Sequence, residues 1–348
     1  EKPAILSQGS EGTIMARFGV RLENDPTLTP QDYQELAAQA EQNGFDAVWV
    51  PEGGGRDSLT SLATIAMKTE RVKLGTGILP IFARTPTNTA MGAAGMAAVS
   101  GGRFILGLGV GHRPTVESRD GIPFKQPMTR MRETIKIVKA LLAGEEVNFQ
   151  GKLFKITGAS MGAAAPETKV PIYIAALGPQ MLEMVGELAD GVLMNWTAVD
   201  YLGEAIGHIK RGAEKAGRDP DEIDIAGYVR VAVGDDVTAS RDSLRRQVAR
   251  YASNPFYRNF FAETGFDKEM SAAAAALAEG NLDKAADSIT EEMQDQVAVV
   301  GTVAECRAAL EKRRDAGLQL PVIAPFAVGD NMASHRNVID ALAPAKSP

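Results

Sequence analysis

Hydrophobic and polar positions alternate in blocks along this chain, with short apolar runs separated by longer amphipathic ones. Arg17-Phe18-Gly19-Val20 opens as a strand within MARFGVRL. Thr29-Pro30 follows as an N-cap with proline at the first helical position, and YQELAAQAEQNG carries helical spacing to a stop at Gly44. The same alternation predicts strands at 46–50, 72–77, 103–106, 172–175, 191–194, 225–231 and 322–324. Between them the pattern predicts helices near SLTSLATIAMKT, from Pro86 to Val99, from Met128 to Leu142 and from Tyr201 to Ala216. These strands are short, apolar on both faces and mostly followed by helices, the mark of a parallel sheet covered by helices. Eight such units in one chain predict a closed (β/α)8 TIM barrel with insertions rather than an open sheet.

The barrel is expected to run as one domain over residues 15–348, with residues 1–14 as an N-terminal extension. EEVNFQGKLFKITGASMG reads as a hairpin and loop insertion. Residues 254–292 hold Phe256, Tyr257, Phe260, Phe261, Phe266 and an alanine run, and predict a helical insertion before the last unit, with the position of a lid.

With 348 residues and 45% apolar content, the chain can bury a large core unaided. A net charge of −7 argues against nucleic-acid and anionic-membrane partners, which select basic surfaces. No apolar run approaches the ~20 residues that cross a bilayer, and the N-terminus lacks a signal-peptide pattern. The one cysteine, Cys306, excludes an intrachain disulfide and fits a cytoplasmic protein; its helical setting reads as packing rather than reactivity.

Chemistry on a barrel of this kind sits where strands end. After the second predicted strand come Glu52, three glycines, Arg56 and Asp57; after the third, GILPIFART; after the fourth, Gly107-Leu108-Gly109-Val110-Gly111-His112-Arg113. After the fifth come Ala176-Leu177-Gly178-Pro179, and after the sixth Asn195-Trp196. Glycine lets backbone N–H groups approach an oxyanion, and a helix N-terminus adds its dipole, so the fourth and fifth loops form a candidate phosphate cradle with Arg113 as a partner. Glycines that simply close tight strands would look the same. Of three histidines, only His112 falls on a top loop, and His208 reads as a solvated helix residue. No HExxH, paired CxxC, carboxylate cluster or GxSxG elbow is present, so no metal site is expected. What remains is a large site of backbone and apolar groups, suited to a bulky planar cofactor that brings its own chemistry.

GFDAVWVPE, VKLGTGILPIFARTP, SGGRFILGLGVGHR, PIYIAALGPQMLEMVGELADGVLMNW and GTVAECRAALEKRRDAG together resemble the bacterial luciferase-like monooxygenase superfamily, in particular its coenzyme F420-dependent branch. The resemblance spans roughly Met15 to the C-terminus. It implies hydride transfer between reduced F420 and a small organic substrate. FMN-dependent monooxygenase activity stands as the alternative on the same fold, and a non-catalytic cofactor-binding barrel as a third reading. The resemblance implies a non-prolyl cis peptide at Gly77-Ile78 behind the deazaflavin ring. It implies cofactor contacts from Gly107, Gly109, Val110, Gly111, His112, Ala175, Ala176, Leu177 and Gly178. Glu52 matches an acidic position implied to relay a proton or touch the ring, with a structural carboxylate that caps the next helix or pairs with Arg56 as its other reading. Gly53 stands where a histidine is usual, which argues against a sugar-phosphate or alcohol dehydrogenase. Trp196 and Arg230 are candidate substrate contacts, Arg230 needing a partner such as Glu52 or a substrate anion. Arg84 reads as a loop-fixing residue and Trp49 as core. A homodimer through ATIAMKT and AMGAAGMAAV is also implied.

Overall fold

The computed structural model describes residues 17–344, apart from Asn24, Gly54 and Asp235. The expected N-terminal extension and the first two residues of MARFGVRL lie outside the described residues.

Eight parallel strands close into a ring: β1 (Gly19–Arg21), β2 (Ala47–Val50), β3 (Lys73–Thr76), β4 (Phe104–Gly109), β5 (Ile172–Ile174), β6 (Gly191–Asn195), β7 (Asp224–Val233) and β8 (Leu320–Pro325). Each pairs with the next, and β8 pairs with β1 through Gly19↔Val322 and Val20↔Ile323. The expected (β/α)8 barrel is therefore observed. A further short strand, Ala298–Gly301, escaped the sequence pattern and adds to the end of β7 outside the ring. Residues 147–159 form the expected hairpin, its turn held by Glu133, which accepts the N–H groups of Lys152, Leu153 and Phe154.

Local chemistry explains the helix starts. Thr29 and Asp32 form a capping box ahead of Pro30–Gln42, and Thr85 caps Pro86–Val99 before a proline. The segment after β7 is helical, running through Pro255–Phe261, Asp267–Ala278, Leu282–Asp287 and Glu291–Val297.

The barrel interior is filled by Ala47, Trp49, Ile105, Tyr173, Leu193, Ala226, Leu320 and Val322, while Ile78 and Tyr228 pack above them. Trp49 is fully buried, as the core reading expected. Its ring lies across β1 and β3 where both strands carry glycine: a Cβ at Gly75 would overlap the indole, and one at Gly19 would sit 3.3 Å from its Nε1. At the N-terminal end, Tyr173 donates to Asp224, which Arg17 grips at 2.9 Å, closing the bottom of the barrel.

Gly75→Ala is expected to lower unfolding stability by about 1–3 kcal/mol through overpacking, measured by urea denaturation. Combining it with Trp49→Leu should cost less than the sum of the single changes, because both act on one contact; strict additivity would show that the indole does not fill this space.

Candidate active site

The third strand decides the shape of the mouth. β3 stops at Thr76, and the chain re-pairs with β4 three residues later through Leu79↔Leu108 and Pro80↔Gly109. In the gap, the Thr76 hydroxyl replaces the missing ladder: it accepts from Gly107 N at 2.8 Å and donates to Gly107 O at 2.9 Å. The approach is so close that a Cβ on Gly107 would overlap the Thr76 carbonyl oxygen. Among the described residues every peptide bond is trans, including Gly77-Ile78, which corrects the expected cis bond. The reversal is taken up by Ile78 itself, at φ 144°, a conformation a β-branched residue adopts only where its surroundings impose it. Its side chain lies over Gly109, where a Cβ would come within 2.7 Å of Ile78 Cδ1. Tyr228 Oη donates to Gly77 O at 3.3 Å, and burial pushes that phenol up to about 12.

Strand alternation then divides the mouth into two unlike halves. β3, β4 and β5 end in Gly77, Gly107, Gly109 and Ala175, which carry little or no side chain. Beyond them Val110, Gly111 and His112 follow β4, and Ala176, Leu177 and Gly178 lead into helix Pro179–Leu188. Gly178 is the N-cap of that helix; no side chain caps it, and space is open where a Cβ would stand. Tyr201 Oη donates to Leu177 O at 3.0 Å and fixes the loop. His112 packs edge-on to Tyr257 at 5.6 Å, and desolvation lowers its pKa. Arg113 turns to Glu117 at 3.5 Å and stacks on Phe124, so it is not aimed at the cradle.

The opposite half is polar. Arg21, Asn195 and Arg230 end the inward rows of β1, β6 and β7. Arg230 is 7% exposed, donates to Asn195 Oδ1 and lies 4.3 Å over the Trp196 ring. Burial, followed by the nearby Arg21, lowers its pKa. Trp196 is buried, with φ 57° at the end of β6. Asn195 Nδ2 donates to Tyr257 Oη at 2.6 Å, tying the helical segment after β7 to the mouth. Arg21 pairs with Glu23, whose backbone N–H donates to His335 Nε2 at 3.2 Å. His335 Nδ1 bonds to Asn331 O at 2.9 Å, which fixes the neutral tautomer. Sequence reasoning missed Arg21, Tyr228 and His335, while Tyr257 belongs to the insertion expected in the position of a lid. The alternation of β7 carried the signal for Tyr228, two positions before Arg230.

Glu52 stands apart from this cluster, which removes one of the two partners expected for Arg230. Glu52 Oε2 accepts from Ser58 N at 2.9 Å and from Ser58 Oγ at 3.1 Å, while Oε1 meets Arg84 at 3.3 Å. Its ion-pair partner is thus Arg84 and not Arg56, which instead donates to the Asp25 and Leu28 carbonyls. Arg84 also pairs with Asp57 and fixes the loop, as expected. Glu52, Ala83, Arg84, Thr85 and Asn88 line an open crevice beside the mouth. His208 makes surface contacts with Glu183 and Glu204, and Cys306 is buried. No group of three metal-ligating side chains occurs among the described residues. No helix among them is long and apolar enough to cross a membrane.

A closed (β/α)8 barrel whose strained backbone gathers at the C-terminal mouth is the architecture of a barrel enzyme. Residues 11–320 match the family model for luciferase-like monooxygenase. The chain is 35% identical over 319 residues to 5,10-methylenetetrahydromethanopterin reductase of Methanolobus tindarius, covering 90% of this chain and 95% of that protein. It is 33% identical over 291 residues to the reductase of the same name from Archaeoglobus fulgidus, covering 82% and 86%. The solved coenzyme F420-dependent tetrahydromethanopterin reductase of Methanopyrus kandleri superposes with a TM-score of 0.81 at 27% identity, covering 95% of this chain and 99% of that one. The chain belongs to the luciferase-like monooxygenase family, and it is an enzyme of that family.

The neutral His335 couples this mouth to pH. Burial lowers its pKa from 6.5, outweighing the Asn331 bond and the Glu23 charge that favour the proton; Arg21 and Asp25 also face it. Below about 6.5 the unfolded chain therefore binds more protons than the folded one, and stability falls with pH until the folded pKa is passed. Stability should be higher at pH 7.5 than at pH 5.5 by urea denaturation, and His335→Gln should flatten that difference. An unchanged slope in the variant would assign the pH dependence to other groups.

Proposed function

We propose that this protein is an F420-dependent oxidoreductase that transfers a hydride between reduced deazaflavin and a small organic substrate. The observation that carries the reading is the 35% and 33% identity to two reductases over most of each chain, together with the likeness to the solved coenzyme F420-dependent reductase, and a mouth that fits such a cofactor supports it. Gly77, Gly107, Gly109 and Ala175 leave a side-chain-poor floor, and Ile78 presents a half-buried apolar edge beside it. Gly178 opens an uncapped helix N-terminus, and an anionic tail is favoured there. Gly111, His112, Ala176 and Leu177 border the same side, with Val110 behind them. The cofactor, when bound, supplies the hydride; the chain supplies orientation and exclusion of water.

Glu52 enters this reading as a positioning carboxylate, because one oxygen caps Ser58, the first residue of helix Ser58–Ala66, and the other pairs with Arg84 in the loop after β3. Trp196 and Arg230 face the substrate half. A homodimer through the helices after β2 and β3 completes the proposal: Met67, Met91 and Val99 are 78%, 61% and 48% exposed there. Sedimentation should give twice the monomer mass, and Met91→Glu should shift it toward monomer; a monomeric parent protein would remove this part of the reading.

Titration with F420 should show saturable binding by fluorescence, with FMN retained far more weakly. Tight FMN binding without F420 binding would favour the monooxygenase alternative. Turnover should follow in a panel of carbonyl, imine and enone substrates with reduced F420; binding without turnover on all of them would leave a cofactor-binding barrel. In the same assay Glu52→Gln should lower thermal stability while leaving the pH profile of kcat in place. A lost limb of that profile would make Glu52 the proton relay.

A further inference from the structure

The polar half of the mouth holds more hydrogen-bond donors than acceptors. Arg230 is 7% exposed and has no carboxylate within ion-pair distance among the described residues; its neighbours are the neutral Asn195 oxygen and the faces of Trp196 and Tyr228. Glu23 is the nearby acid, and it is already engaged by Arg21. Trp196 Nε1 is buried without an acceptor, and so is Arg21 Nε. Tyr257 Oη already accepts from Asn195, so its own proton is left to donate; burial raises its pKa and keeps that proton in place. Buried donors are ordinarily paired, and a buried cation without a counter-charge is costly. A surplus of donors around one guanidinium, facing the mouth, is the complement of an anionic oxygen group.

We infer that Arg230 is the anion-binding residue of the substrate pocket, and that the substrate class is an organic molecule bearing a carboxylate or phosphate. Tyr257 adds a second donor from the helical segment after β7, so the anion is gripped between the barrel and that segment. This rests on the F420-dependent reading only for the second reactant that the acid-bearing substrate would meet across the mouth. Anion binding itself needs no cofactor.

Trp196 provides the readout, since its ring is in contact with Arg230. At constant ionic strength, benzoate and phenyl phosphate are titrated into the full-length protein without F420, with benzyl alcohol as the neutral control. At least one anion should change tryptophan emission saturably, benzyl alcohol should not, and Trp196→Phe should remove the signal. Arg230→Met should weaken binding about tenfold or more, Arg230→Lys should restore part of it, and Tyr257→Phe should weaken it a few-fold. Retained F420 binding by Arg230→Met confirms that the variant is folded. Absence of any anion response, or equal affinity in Arg230→Met, overturns the inference. So does loss of the response, read by calorimetry, once the protein is saturated with F420, because the site would then belong to the cofactor tail. Failure of F420 to bind the parent protein would overturn the oxidoreductase reading and leave the anion titration intact.

Discussion

The mouth of this barrel depends on one local substitution: a threonine hydroxyl does the work of a backbone ladder. Where β3 leaves its register, Thr76 Oγ1 both accepts from and donates to Gly107, so neither peptide group is orphaned in the core. That bridge permits the chain to bulge at Gly77-Ile78 and return to β4 at Leu79. It also requires glycine at 107, since any Cβ would meet the Thr76 carbonyl. The strain at Ile78, of order 1–3 kcal/mol for such a conformation, is affordable because both flanks of the bulge remain paired.

The consequence is an asymmetric mouth. Bare strand ends on β3 to β5 face cationic, amide and phenolic side chains from β1, β6 and β7. The bare half suits a flat ring; the polar half suits a charged substrate. Below both, Trp49 spans glycines on β1 and β3 and gives the mouth a rigid floor. Above, the Asn195–Tyr257 bond fastens the helical segment to the sixth strand.

What the sequence made legible was local. Strand after strand, the apolar runs located the ring, because a parallel barrel strand is apolar on both faces wherever it sits. Thr29-Pro30 and Thr85-Pro86 located helix starts, because caps act within one turn. The strand Ala298–Gly301 was hidden by its four residues, which follow a helix without a turn signal. The mouth glycines were visible as glycines, but their reasons were not. Gly107 answers to Thr76, 31 positions away, and Gly77 to Tyr228, 151 positions away. Arg56 was the wrong ion partner to expect for Glu52, and Glu52 for Arg230, for the same cause: the competition is settled in three dimensions, where Arg84 reaches Glu52 first and Asn195 reaches Arg230.

Strained backbone and orphaned donors come together at the mouth. Among the described residues, two of the three non-glycine residues with positive φ, Ile78 and Trp196, end barrel strands at the mouth, and orphaned donors on Trp196 and Arg21 lie beside Arg230. Away from the mouth, Arg313, 3% exposed, gives its guanidinium to the Ala309, Asp295, Gln296 and Ala298 carbonyls. The contrast between these two arginines is informative. The same side chain, buried in both places, is saturated with acceptors behind the barrel and left short of them inside its mouth. Folding can evidently supply acceptors for a buried guanidinium in this protein. Where they are withheld, the missing partner is most economically one that arrives with the substrate.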